Sequence, residues 1–156
     1  MNVQELSEIF RKLGARDPEE WARSQLKENI PQLARFLFLR QAWKLVIGEN
    51  DLAWISKMRQ IDTKEPGGDI GPAITRLLGG SGGETDLTRI VRIMQWKLLF
   101  GLCYLIDDPG DIEWEARDIA WRLFQVDENE HPIAIIGGLA ESVLETEPTG
   151  KEMRPT

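Results

Sequence analysis

Between Pro31 and Ile47 the chain carries Phe36, Phe38, Leu39, Ala42, Trp43, Leu45, Val46 and Ile47, which cover an arc of roughly 220° on a helical wheel. Only Arg40, Gln41 and Lys44 mark a wet strip. A helix apolar over so wide an arc has to be covered on most of its surface, so it belongs at the centre of the fold. Trp43 lies inside the arc and is read as core. Arg35 falls near the middle of the same arc, beside Leu39, Ala42 and Val46, where an isolated charge is costly. The expectation is a buried ion pair with a carboxylate from another segment, such as Glu20, Asp86, Glu141 or Glu145. The functional version of that expectation is an arginine lining a site for an anionic ligand.

The remaining chain is punctuated at helical lengths. Val3, Leu6, Ile9, Phe10 and Leu13 recur at helical spacing, and Gly14 follows as a stop. Asp17-Pro18-Glu19-Glu20 combines a capping aspartate, a proline at the first helical position and acids in the first turn, which predicts a helix from Pro18 to about Asn29. Pro31 withholds a donor and forces a break. Gly48 closes the central helix, and a helix capped by Asn50 or Asp51 carries Leu52, Trp54, Ile55, Met58 and Ile61. A short helix from about Pro72 to Leu78 runs into the flexible Gly79-Gly80-Ser81-Gly82-Gly83 loop.

The longest helix, 86–106, presents Leu87, Ile90, Val91, Met94, Leu98, Leu102 and Leu105 as its apolar face. Gly101 sits in the centre of that face, where a missing side chain suits a close helix crossing. Ile112, Ala116, Ile119, Ala120 and Leu123 form a further helical stripe. Apolar residues at Phe124 to Val126 and Ile133 to Ile136, separated by a polar turn, admit a small β-hairpin near 123–136. A last helix covers about Leu139 to Thr146. The fold expected is mainly α: an orthogonal bundle of six or seven helices around the apolar helices 31–47 and 86–106. It forms a single domain over 1–147, followed by a mobile tail over 148–156.

Charge is unevenly spread along the chain. Residues 1–78 hold 12 basic and 11 acidic residues, for +1, whereas residues 79–156 hold 7 and 15, for −8. A field of that sign repels nucleic acid and anionic membrane and attracts a basic protein partner. The N-terminus lacks a basic region followed by an apolar run, and the longest apolar stretch, Leu98 to Ile106, has nine residues, against about 20 for a membrane span. The expected address is the cytoplasm, with no membrane association. Cys103 is the only cysteine, which excludes an internal disulfide and a Cys-based zinc site, and it reads as a buried, inert thiol.

No catalytic set emerges from the motifs. The Gly79–Gly83 loop fits a G-x-S-x-G nucleophile elbow with His131 downstream, but a helix rather than a strand precedes Ser81. Asp127-Glu128-Asn129-Glu130 lacks the glycine and terminal glutamate of a calcium loop. No metal and no cofactor is expected. Trp114 and Trp121 are seven residues apart, hence on one helical face, with Glu115 and Asp118 beside them. Tryptophans rimmed by acids suit a basic protein partner. The leading reading is a non-catalytic acidic binding protein: an inhibitor, an immunity-type protein or an adaptor. The alternative is a small-ligand-binding protein or enzyme whose site assembles from Arg35, Ser81, Asp107, Asp108 and His131. A homo-oligomer is a third reading, one that a large exposed apolar patch would favour.

Overall fold

The computed structural model of the protein describes residues 1–64, 68–80, 83–108 and 120–154. Among them, seven helices and one two-stranded antiparallel sheet follow in the order α1 (Val3–Leu13), α2 (Pro18–Glu28), α3 (Gln32–Trp43), α4 (Ala53–Arg59), α5 (Ile70–Leu78), α6 (Glu84–Asp107), β1 (Leu123–Val126), β2 (Pro132–Ile136) and α7 (Leu139–Ser142). The protein is mainly helical, with its hairpin where the alternation predicts one. The chain divides into two compact units, Met1–Lys44 with Leu99–Thr156, and Leu45–Leu98.

In the first unit, local chemistry sets the helix ends. The Asn2 side chain accepts the Glu5 N–H at 2.9 Å, while the Glu5 carboxylate accepts the Asn2 N–H at 3.0 Å, so α1 opens with two satisfied donors. It closes at Gly14, whose φ of 89° is the left-handed conformation that glycine adopts without a Cβ penalty. Pro18 opens α2; Asp17 before it contributes its main-chain carbonyl to Glu20 and Trp21, not its side chain.

Three aromatic rings then join three helices. Phe10 of α1 stacks on Trp21 of α2 at 5.8 Å, and both meet Phe36 of α3 edge-on, at 5.6 and 5.3 Å. Leu6 and Ala22 complete this cluster. Farther along α3, Leu39 and Trp43 are buried, and the Trp43 indole N–H donates to the Val143 carbonyl at 2.8 Å. Trp43 is core, as its place in the apolar arc predicts.

Two helices are shorter than their patterns suggest. α3 ends at Trp43 rather than running to Ile47, with the Lys44 N–H drawn to Gln41 in a tight turn. α7 ends at Ser142, where the Thr146 hydroxyl donates to the Ser142 and Val143 carbonyls and competes with continued helix. The segment beyond Pro148, expected to be mobile, carries bonds of its own. Arg16 donates to the carbonyls of Leu144, Glu145 and Gly150 and to the Glu152 carboxylate. The buried Glu147 carboxylate accepts from the Thr149 hydroxyl at 2.6 Å and the Lys151 N–H at 3.1 Å.

In the second unit, Trp54 and Ile55 of α4 pack on Ile74 of α5. The Trp54 indole N–H donates to Thr88 on α6 at 3.0 Å. The Ile47 N–H reaches the Gln95 side chain at 2.8 Å, and its carbonyl accepts from Arg92. Thr88 and Arg92 are therefore buried, while Ile90, Met94 and Leu98 stay 60–64% exposed. Much of the α6 stripe expected inside is thus outside, because the buried polar side chains of α6 supply partners to backbone and indole groups of this unit.

The last turns of α6, in the first unit, bury Cys103 and expose Leu102 and Leu105. Nothing among the described residues lies within 4 Å of where a Cβ at Gly101 would stand, so the close crossing expected there is not formed. Gly101→Ala should accordingly raise stability by about 0.5–1 kcal/mol in urea unfolding, through helix propensity alone. A loss of stability would mean that another segment does pack on that position.

Candidate functional site

The polar centre of the first unit forms around Arg35. Phe36, its neighbour in sequence, turns into the three-ring cluster, which sends the Arg35 side chain toward α7. There Gly138, with φ of 68°, takes up the left-handed conformation at the start of the helix. Its missing side chain also leaves room for the guanidinium: a Cβ at Gly138 would stand 2.8 Å from an Arg35 terminal nitrogen. Arg35 Nη1 donates to the Ser142 hydroxyl at 3.4 Å, and its Nε is buried without a partner among the described residues. Asp107, at the end of α6, accepts the Ala140 N–H at 2.8 Å and so caps α7 from outside it. The other Asp107 oxygen is also buried and unbonded.

Arg35 forms no ion pair at contact distance among the described residues. Burial lowers its pKa from the ordinary value, while Asp107, Glu141, Glu145 and Glu28 act in the opposite direction through space. Glu141 and Glu145 were among the partners expected; Asp107 and Glu28 were not. Glu145 is itself raised from its ordinary value, chiefly by burial, with Arg16 and Arg35 opposing.

A cavity of about 150 Å³ opens beside this centre, lined by Glu20, Trp21, Ser24, Glu28, Gln32, Arg35, Ser142 and Glu145. Gln32 is 7% exposed; its amide N–H donates to Ser24 at 2.7 Å, and its Oε1 is unbonded. Of the three carboxylates in this lining, Glu28 and Glu145 act on the Arg35 guanidinium through space, and Glu20 pairs with Arg23 at 3.1 Å. Neither Ser24 nor Ser142 is hydrogen-bonded to a carboxylate or to His131 among the described residues. The arrangement is suited to holding a charged group rather than to activating a nucleophile.

The chain matches no family model, no curated protein and no solved structure.

The other residues singled out from sequence are dispersed. His131 sits exposed in the hairpin turn, its Nδ1 3.4 Å from Asp127. The Asp127 carboxylate accepts the N–H groups of Asn129 and His131, at 2.8 and 2.9 Å, and those bonds hold its pKa below the usual value. Asp108 is exposed at the end of α6. Trp121 is 41% exposed and donates its indole N–H to the Leu105 carbonyl at 2.7 Å. Ser81, Trp114, Glu115 and Asp118 lie outside the described residues. Burial pushes the Cys103 thiol up to about 11, helped by Asp107, which keeps it protonated and unreactive.

Among the described residues no helix is long and apolar enough to cross a membrane, and no group of three or more His, Cys, Asp or Glu could hold a metal ion. Trp21, Ser24, Glu28, Gln32 and Ser142 are the lining residues that the sequence did not single out. The one available signal was Gln32, a polar side chain opening the apolar helix right after Pro31.

Gly138→Ala tests the packing at Arg35. It should destabilise the protein by about 1–2 kcal/mol, from the left-handed backbone together with displacement of the guanidinium. In an Arg35→Ala background the loss should shrink by at least roughly 0.5 kcal/mol, measured as a double-mutant cycle of chemical unfolding. Equal losses in both backgrounds would mean that the Gly138–Arg35 contact carries no energy.

Proposed function

We propose that the chain is a non-catalytic, cytoplasmic binding protein that holds a basic protein partner, as an inhibitor, an immunity-type protein or an adaptor does. The observation that carries this reading is the cavity at Arg35: Glu20, Glu28 and Glu145 line it, Glu20 is paired with Arg23 at 3.1 Å, and Glu28 and Glu145 form no ion pair with Arg35 among the described residues. A lysine or arginine side chain presented by a partner would find carboxylates there that no contact with Arg35 has neutralised. The −8 of residues 79–156 adds long-range attraction of the same sign. Trp114, Glu115, Asp118 and Trp121 remain the residues proposed to face the partner; Trp121 is exposed but lies in an irregular segment before β1, not on the helical face expected for it.

Self-association is a second reading, favoured by Ile90, Met94 and Leu98 standing exposed on one face of α6. Light scattering distinguishes it: a mass of 17.8 kDa removes it, and twice that mass supports it.

Affinity capture from the native cell at about 0.05 M and 0.5 M salt tests the first reading. The captured protein should be basic and released by the higher salt. Glu28→Gln with Glu145→Gln should weaken its binding by about tenfold or more, corresponding to about 1.4 kcal/mol. A neutral or acidic partner, salt-insensitive capture, or an unchanged affinity in the double variant would overturn the proposal.

A further inference from the structure

A second and larger cavity lies in the first unit, a groove of about 530 Å³ between the end of α1, the Phe36/Arg40/Trp43 side of α3 and the segment 145–150. That volume falls within the range of small-molecule sites, roughly 300–1,000 Å³. Leu13, Phe36, Trp43 and Pro148 provide its apolar walls, and Arg40 and Lys44 flank it. Arg40 lies on α3 and Lys44, four positions on, is the residue that closes the helix and keeps a right-handed backbone, so the two project from one side.

The charges around the groove are not equivalent. Arg16 is committed to three carbonyls and Glu152. The Glu147 carboxylate is turned to Thr149 and Lys151. Glu145 lines both cavities; burial raises its pKa, and Arg16 and Arg35 oppose that shift. By contrast, Arg40 has no hydrogen bond or ion pair among the described residues, and the Lys44 ammonium donates only to the neutral Gln41 amide, at 2.8 Å. The cations without an acidic partner thus stand beside an apolar cleft.

We propose that this groove binds a small amphipathic anion, an aliphatic or aromatic carboxylate whose apolar body lies against Leu13 and Pro148, over the largely buried Phe36 and Trp43, and whose head group meets Arg40 and Lys44. The basic-partner reading concerns the other cavity, which shares only Glu145 with this groove, and neither Arg40 nor Lys44 lines it.

The sign of the protein's charge makes the test discriminating. A chain of net −7 that offered only apolar surface would prefer a cationic amphiphile to an anionic one of equal length. Calorimetric titration of the full chain with decanoate, and in parallel with decyltrimethylammonium, both below micelle formation, reads the preference directly. One decanoate per chain is expected, bound more tightly than the cation. Arg40→Gln with Lys44→Gln should weaken decanoate by about tenfold; both side chains are exposed, so the melting temperature should hold. No decanoate binding, equal or tighter binding of the cationic amphiphile, or an unaltered decanoate affinity in the double variant would each overturn the proposal.

Discussion

Within the first unit, the contact on which most else depends is the meeting of Phe10, Trp21 and Phe36. Each ring comes from a different helix, and edge-on packing at 5.3 to 5.6 Å tolerates little rotation. Seating Phe36 fixes the phase of α3 about its axis. Arg35, one residue earlier, is then directed to Ser142 and Gly138. Trp43, seven residues later and on the same side of the helix, reaches the carbonyl of Val143. The segment around α7 is thus held by an arginine and a tryptophan from one helix, although its own sequence is too short to form a stable helix alone.

The second unit is organised by polar contacts to a greater degree than its composition suggests. Both main-chain groups of Ile47 are taken by side chains of α6, and so is the indole N–H of Trp54. Buried donors and acceptors must be paired, and an unmade bond costs about 1–3 kcal/mol, comparable to burying one aliphatic side chain. Satisfying three of them favours turning Thr88, Arg92 and Gln95 inward. Ile90, Met94 and Leu98 are left outside as a consequence. Periodicity identifies which stripe of a helix is apolar; it does not reveal that the opposite stripe is required inside.

The same distinction between local and distant causes separates what could be read from the residues from what could not. The end of α1 and the bounds of α2 were legible because Gly14, Pro18 and Asn29 act within a few residues of themselves. The hairpin was legible from apolar runs on either side of a polar turn. The end of α3 was not, since nothing near Lys44 announces that Gln95 and Arg92 take the backbone of Ile47. Arg16 escaped notice for a related reason. Its acceptors are chiefly main-chain carbonyls, which every residue possesses, so no sequence pattern marks them. Arg35 was conspicuous as a charge in an apolar arc, yet its surroundings come from α2, α6 and α7, and only the fold brings those together.

Those surroundings are costly to maintain. Arg35 Nε, Gln32 Oε1 and one oxygen of Asp107 are all buried without partners among the described residues, and a buried polar group left unpaired costs about 1–3 kcal/mol. A purely structural solution was available, because replacing such groups by apolar side chains of similar size is often neutral or stabilising. Gly138 adds to the cost: its left-handed backbone excludes most other residues, and its bare Cα is what admits the guanidinium. Local choices that agree everywhere else in this unit, in capping, ring packing and helix termination, conflict here. Conflicts of that kind concentrate at sites where a chain interacts with something else. The cavity beside Arg35 is therefore better explained by the chemistry it presents than by the stability it provides.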